Sequence, residues 1–151
     1  MHIATQFSVF LVNKPGVLAQ VTGKLADAKI NIVAMTMTDS MEHGVLRLVA
    51  EDPEKARQVV GSLNIPVTET EVMAVPLANR PGALADVCQR LAAAHININY
   101  AYSTARSSHG QTTAILKVAD LKKAMKVLEV RKPLRKEAAG KLRHPRSANR
   151  R

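Results

Sequence analysis

One motif occurs twice in this chain, and the repeat limits the possible folds more than any other feature. Residues 13–32 return as residues 79–98, 66 positions later, with 12 of the 20 positions identical. The sequence therefore consists largely of two copies of one structural unit. Because a unit of this size buries little surface by itself, we expect the two copies to share a core.

Each copy has the pattern strand, helix, strand, strand, helix. In the first copy, a β-rich run over residues 7–12 ends at an Asn-Lys-Pro-Gly turn, and a helix with one apolar face follows. Asp52 and Pro53 predict the start of the second helix, because Asp caps helices and Pro favours the first helical position. This order predicts an α+β fold of two ferredoxin-like βαββαβ units in tandem, each with both helices on one face of an antiparallel sheet.

The junction of the copies and the end of the second copy depart from this pattern. Only 13 residues, 65–77, are available for two strands, which predicts one long strand joining two sheets. After the last helix, Val130 to Lys136 contain Pro133 and no alternating apolar run, so the second copy is expected to lack its last strand or to borrow one. We predict a first unit at 1–70, a second at 71–130 and a basic, disordered tail at 131–151.

Most of the net charge of +10 lies in this tail. Residues 131–151 contain nine Lys or Arg and one acid, whereas residues 1–130 carry only +2. We therefore expect affinity for polyanions in the tail and not in the repeated fold. Nucleic-acid binding through residues 131–151 is the alternative function, although aromatic residues for base stacking make up only 3% of the chain.

Other classes of protein lack the residues that they need. No phosphate loop, Ser-His-Asp grouping or metal-ligand spacing is evident, so we predict no enzyme, no catalytic residue, no metal and no cofactor. The single cysteine, Cys88, excludes an internal disulfide and fits a reducing compartment. The N-terminal residues lack the features of a signal peptide or membrane span, so we expect a cytoplasmic protein without membrane contact.

The repeated Asn-x-Pro-Gly turn is the best candidate for a binding site. It ends a strand and opens a helix, so the backbone N–H groups around Gly16, with the helix dipole behind them, can accommodate a carboxylate. The alternative is a structural turn in which Asn caps the helix. A second Asn, Asn31 or Asn97, follows 18 residues later at the start of an apolar strand. Its amide can contact both the carboxylate and the ammonium of an amino acid.

With these turns and the Ile-Asn-Ile strand starts, the chain resembles a tandem ACT-domain protein. The resemblance implies a regulatory module that binds an amino acid between the strand–helix turn of one unit and the second strand of its neighbour. The ligand-binding residues that it implies are Asn13, Pro15, Gly16, Val17, Leu18, Asn31, Asn79, Pro81, Gly82, Ala83, Leu84 and Asn97. It also implies as partners a free amino acid effector, a biosynthetic enzyme and a second copy in a homodimer.

Two departures from the family pattern refine these expectations. Serine-sensing ACT domains place a His where this chain has Leu11 and Leu77. We therefore expect a more apolar effector, such as a branched-chain amino acid, as in the regulatory subunits of acetolactate synthase. The second copy also has Ala83 in place of Val17 and no evident last strand. If only one site is functional, we expect the first to be the better formed.

Overall fold

Four helices pack on a single six-stranded antiparallel sheet, as the computed structural model of residues 1–39, 43–104 and 112–129 shows. The elements are β1 (His2–Val12), α1 (Val17–Asp27), β2 (Ile32–Asp39), β3 (His43–Ala50), α2 (Pro53–Gly61), β4 (Val67–Leu77), α3 (Ala83–Ala93), β5 (Ile98–Ser103), β6 (Thr112–Val118) and α4 (Leu121–Glu129). The strand order is β2-β3-β1-β4-β6-β5. The architecture confirms the predicted α+β class with two ferredoxin-like units in tandem.

The helix starts follow from local sequence. The Asp52 side chain accepts a hydrogen bond from the Lys55 backbone N–H at 3.1 Å, and Pro53 takes the first position of α2. Asp120 caps α4 in the same way, accepting from the Lys123 N–H at 2.9 Å. The first cap confirms the predicted start of α2, and each cap satisfies a backbone N–H that the helix itself cannot.

Each pair of helices covers its own apolar core. In the first copy, Phe7 and Leu25 are fully buried between the sheet and α1 and α2. In the second copy, Met73 and Leu91 take the equivalent places beneath α3 and α4. The 66-residue repeat is therefore a repeat of core positions as well as of turns.

One strand, β4, serves both copies. It pairs with β1 from His2 opposite Ala74 to Val9 opposite Val67. Thr5 lies opposite Glu71, its own equivalent 66 residues later, so an approximate two-fold axis relating the copies passes between them. The prediction of one long strand was right, but the prediction of two sheets was wrong, because β1 and β4 pair directly and make the sheet continuous.

The first residues of β1 take the place of a last strand in the second copy. The later half of β4 pairs with β6 on one side and with residues 2–4 on the other. Met1 also packs against the core of the second copy. The second copy thus borrows a strand, which was one of the two predicted alternatives. The predicted tail 131–151 lies outside the described residues.

The sheet curls on the face away from the helices, so that its edge strands β2 and β5 contact each other. This face buries an apolar cluster to which four strands contribute: Ala34, Val49, Val72, Ala74 and Ile115. Because β2 belongs to the first copy and β5 to the second, the curl creates a second contact between the copies beside the pairing of β1 with β4.

Candidate functional site

The two Asn-x-Pro-Gly turns have the same backbone. Gly16 and Gly82 are the N-cap residues of α1 and α3, with φ of 88° and 85°, and no side chain forms a capping hydrogen bond at either helix. Asn13 and Asn79 are exposed instead. The alternative in which Asn caps the helix is therefore wrong for this fold, because the left-handed Gly occupies the cap position.

Within one copy, the turn and the second Asn are far apart. β1 and β2 run parallel because both pair antiparallel with β3. β1 ends opposite His43, whereas β2 begins opposite Ala50. Seven residues of strand separate these positions, which corresponds to about 20 Å. Asn13 and Asn31 of one copy therefore lie at opposite ends of the sheet and cannot contact the same small ligand.

The curl of the sheet instead brings together ends that belong to different copies. β2 and β5 are antiparallel, so the start of β2 lies beside the end of β5. Asn31 therefore lies at the end of the molecule where the chain leaves β4 for the turn at 79–82. By the same argument, Asn97 lies at the end where the turn at 13–16 begins.

A cleft of about 650 Å³ lies between the copies at the Asn31 end. It is lined by Asn31, Ile32, Val33, Ala34, Met35, Glu51, Ser103, Thr104 and Thr113. Side chains of β2 form an apolar wall, and the opposite wall carries hydroxyl groups from the end of β5 and from β6. Among the described residues, Glu51 is the one ionisable side chain in the lining. The cleft can therefore offer hydrogen bonds, apolar surface and one negative charge to a ligand.

Hydrogen bonds fix the backbone around this cleft. The Asn31 carbonyl accepts from the Glu51 N–H at 3.0 Å, which joins the start of β2 to the end of β3. The Thr104 N–H donates to the Thr113 carbonyl at 2.9 Å, and the Thr113 N–H donates to the Thr104 hydroxyl at 3.1 Å. Asn31 and Glu51 remain exposed at their side chains. The two residues are thus held beside one another by their backbones, and their side chains are accessible from solvent.

Of the twelve predicted site residues, Asn31 lines this cleft. The ten residues of the two turns and Asn97 are not among the lining residues. Four lining residues that could bind a ligand were missed by the sequence analysis: Glu51, Ser103, Thr104 and Thr113. They lie 20 or more residues from Asn31 in the sequence. The only sequence signal that could have identified these residues is their position at the end of an apolar strand. Their presence in one cleft with Asn31 depends on the curl of the sheet, which the sequence pattern does not show.

A family model described as an ACT domain pair matches residues 1–136. The chain belongs to this ACT family. ACT domains are amino-acid-binding regulatory domains, and the two copies defined by the 66-residue repeat account for the pair. No curated protein matches the chain significantly.

Solved structures with the same fold agree with this membership. The ACT pair is similar to protein BT0572 from Bacteroides thetaiotaomicron, with 34% identity, a TM-score of 0.77 and coverage of 84% of this chain and 87% of the other. Regulatory subunits of aspartate kinase from Thermus thermophilus (14% identity, TM-score 0.61, 85% and 96% coverage) and Thermus flavus (17%, 0.56, 84% and 90%) share the fold.

Two further observations apply to the described part of the ACT pair. Within residues 1–39, 43–104 and 112–129, no helix combines the length and the apolar character that crossing a membrane requires. In the same ranges, no three His, Cys, Asp or Glu side chains are grouped closely enough to hold a metal ion.

Proposed function

We propose that this protein is a regulatory, non-catalytic sensor that binds an apolar amino acid in the cleft between its two ACT copies. The observation that carries the proposal is the cleft itself, where Asn31 of the first copy meets the strand ends of the second. Membership of the ACT family supports the amino acid as the ligand class. Binding at a contact between copies would favour one arrangement of the sheet edges over another, which is how an effector can act at a distance.

The chemistry of the lining suits a branched-chain amino acid. Glu51 can pair with the ammonium group, and the Asn31 amide and the Ser103 hydroxyl can donate hydrogen bonds to the carboxylate. Val33 and Met35 offer apolar contacts to an aliphatic side chain. The turn of the second copy begins at the same end of the sheet. We expect its residues Pro81, Gly82, Ala83 and Leu84 to contribute backbone N–H donors to the ligand. Asn79 would contribute a second side-chain amide.

The equivalent half-site would combine the turn of the first copy with the second strand of the other copy. Its residues are Asn13, Pro15, Gly16, Val17, Leu18 and Asn97. Asn13 and Asn97 are exposed, and they lie at the same end of the sheet. We propose this half-site as the second binding position of the pair.

We further propose that the sensor acts as a homodimer in the cytoplasm and regulates a biosynthetic enzyme. Large apolar side chains are exposed on β1 and β2, including Phe10 at 40% and Met37 at 39%, and an exposed apolar surface often marks a protein contact. The Thermus neighbours are regulatory subunits of aspartate kinase, which supports an enzyme as the regulated partner.

Nucleic-acid binding is a second candidate only because of the nine cations in the tail. The aromatic side chains of the sheet give base stacking little support, because Phe10 is the one among them that is exposed. Phe7 is fully buried, and the hydroxyl groups of Tyr100 and Tyr102 hydrogen bond to Gln6. If RNA affinity exists, deletion of residues 131–151 should abolish it.

A calorimetric titration with each of the twenty amino acids tests the main proposal. We expect leucine, isoleucine or valine to bind, and Glu51→Gln to weaken binding about tenfold or more, because it removes a charged partner worth roughly 1.5–3 kcal/mol. Asn31→Ala should weaken binding by a smaller factor.

Two matched variants serve as controls. Asp27→Asn removes an exposed carboxylate from the end of α1, and Gln89→Ala removes an exposed amide from α3, both outside the cleft. They should bind as the unmodified protein does. If no amino acid binds at millimolar concentration, or if the controls lose as much affinity as the cleft variants, the proposed site is wrong.

A further inference from the structure

We propose a second ligand site, for a small divalent oxyanion, in the mouth of the curled sheet on the face away from the helices. It shares no lining residue with the amino acid cleft and carries the opposite charge. The inference therefore does not depend on the proposed function.

The site is a cavity of about 420 Å³ that spans five strands. Its lining comprises Ser8, Phe10, Val45, Arg47, Thr68, Thr70, Asn99, Tyr100 and Lys117. The strands come from both copies, and the lining crosses the line where β1 pairs with β4. A cavity of this volume lies within the range of small-molecule sites.

Among the lining residues that the structure describes there are two cations and no carboxylate. The Arg47 guanidinium lies over the Tyr100 ring, 4.5 Å from its centroid, which holds the charge in place by a cation–π contact. The Lys117 Nζ donates to the Glu71 backbone carbonyl at 3.2 Å. Within the described ranges, neither cation takes part in an ion pair.

Nearby acids do not neutralise these cations. Glu69 lies on β4 between Thr68 and Thr70, but its side chain points to the helix side of the sheet and pairs with Arg57 of α2. Side chains alternate along a strand, so Glu71 also belongs to the helix side. Among the residues that the structure describes, no acidic side chain therefore balances the two positive charges of Arg47 and Lys117.

The base of the cavity supplies hydrogen-bond donors. Gln6 is fully buried, and its Nε2 donates to the Ser8 hydroxyl at 3.1 Å and to the Tyr100 hydroxyl at 2.8 Å. Each hydroxyl accepts from Gln6 and so keeps its own hydrogen for another acceptor.

A third hydroxyl fixes the amide that organises these donors. The Tyr102 hydroxyl donates to Gln6 Oε1 at 3.0 Å, which determines which way the amide points. Burial raises the pKa of Tyr102, so this hydroxyl stays protonated and keeps donating. The network thus directs the hydrogens of Ser8 and Tyr100 away from Gln6, which suits an oxygen-rich anion.

The ligand class follows from charge and donors together. Two cations would balance a ligand with two negative charges. The surrounding hydroxyl groups would donate hydrogen bonds to its oxygen atoms, and hydrogen bonds to ionised groups are stronger than those between neutral groups. A phosphate ester and a dicarboxylate both present this chemistry. Inorganic phosphate and succinate are therefore the two probes that distinguish a phosphate ligand from a dicarboxylate ligand.

The protein carries its own reporter for this cavity. Tyr100 and Tyr102 are its two tyrosines, and it has no tryptophan. Intrinsic tyrosine emission of the full chain, at constant ionic strength, should therefore change in a saturable way as phosphate or succinate is added. Collisional quenching would instead grow linearly with concentration.

The decisive comparison is between two double variants with the same change in charge. Arg47→Gln with Lys117→Gln should weaken the saturable response at least tenfold. Lys24→Gln with Lys122→Gln removes two exposed helix cations outside the cavity and should leave the response unchanged. Far-UV circular dichroism of both variants checks that they are folded.

Three results would overturn the proposal. One is the absence of a saturable response to either probe in the unmodified protein. Another is a response that the Arg47→Gln, Lys117→Gln variant retains in full, which would place anion binding outside the cavity, for example in the basic tail that this variant keeps. The third is a change in molecular mass in solution on substituting Arg47 and Lys117, which would make the cavity a subunit contact.

Discussion

The turn of the first copy, at 13–18, and the turn of the second, at 79–84, share a backbone but differ in charge. The Gln20 N–H donates to the Gly16 carbonyl, and the Asp86 N–H to the Gly82 carbonyl, both at 2.9 Å. In the second turn, Arg80 also forms an ion pair with Asp86 at 2.5 Å. The first turn has Lys14 and Gln20 at these positions and no acid in the first turn of α1.

The residues that the copies share determine the conformation of the turn, and the residues that differ determine its electrostatics. In α3, Asp86 compensates the positive end of the helix dipole, and Arg80 balances Asp86. The first turn of α1 contains no acidic side chain that could compensate this end. By this charge difference the first turn is the better position for an external carboxylate, and this turn belongs to the proposed half-site of Asn13 and Asn97 and not to the cleft at Asn31. The expectation that the first site is the better formed stays a prediction, since Asn13 and Asn31 of the first copy lie at opposite ends of the sheet.

The largest effect should come from the shared backbone. Gly16→Ala and Gly82→Ala force a Cβ into the left-handed region, at a cost of about 1–2 kcal/mol each in the free energy of unfolding. An added Cβ would meet no atom within 4 Å at Gly16, and only Arg80 Nη1 at 3.7 Å at Gly82. The loss should therefore be nearly equal in the two copies, as measured by urea denaturation.

Gly23→Ala is the matched control for these two substitutions. Gly23 lies inside α1 with open space around its Cβ position. Alanine is favoured over glycine in a helix interior, so this variant should gain about 0.5–1 kcal/mol. A loss at Gly82 that is more than twice the loss at Gly16 would show that the two turns are not equivalent.

The conformation of these turns could be predicted from the sequence, whereas the composition of the cleft could not. Pro and Gly have strong local preferences, so the strand end, the turn and the helix start follow from a few adjacent residues. The presence of Asn31 and Ser103 in one cleft depends on the curl of a six-stranded sheet. No short segment encodes that curl, because it arises from the twist of all the strands and from the sharing of β4.

A smaller effect should come from the ion pair that only the second turn has. Asp86→Asn should lower the free energy of unfolding by about 0.5–1 kcal/mol, the range of an exposed pair with a helix-dipole contribution. The reciprocal change, Lys14→Arg with Gln20→Asp, should transfer the pair to the first copy and stabilise it by a similar or smaller amount.

Salt dependence separates this electrostatic effect from a packing effect. The cost of Asp86→Asn should shrink in 1 M sodium chloride, because the Debye length there is about 3 Å. Gln89→Ala, on the same helix, should show no comparable salt dependence. A cost for Asp86→Asn that is unchanged by salt would contradict the electrostatic account.

The smallest effect concerns the second helix of each copy, where the copies also differ. In the first copy, Arg57 of α2 holds Glu69 of β4 through two hydrogen bonds, at 2.6 and 2.7 Å. Counting from the capping Asp52 and Asp120, α4 has Met125 at the position of Arg57. Among the residues that the structure describes, this ion pair therefore connects the second helix of a copy to the shared strand β4 in the first copy only.

Acid titration should reveal this difference. The Arg57 guanidinium lowers the pKa of Glu69 in the folded protein. The resulting stabilisation is present above the pKa of the unfolded chain and is lost as the pH falls through the lowered, folded value. Glu69→Gln should therefore be slightly less stable than the unmodified protein at pH 7 and equally stable in strong acid.

Glu71→Gln, on the same strand, removes a carboxylate that forms no ion pair within the described ranges. If both variants change the acid dependence equally, the pairing with Arg57 is not its cause.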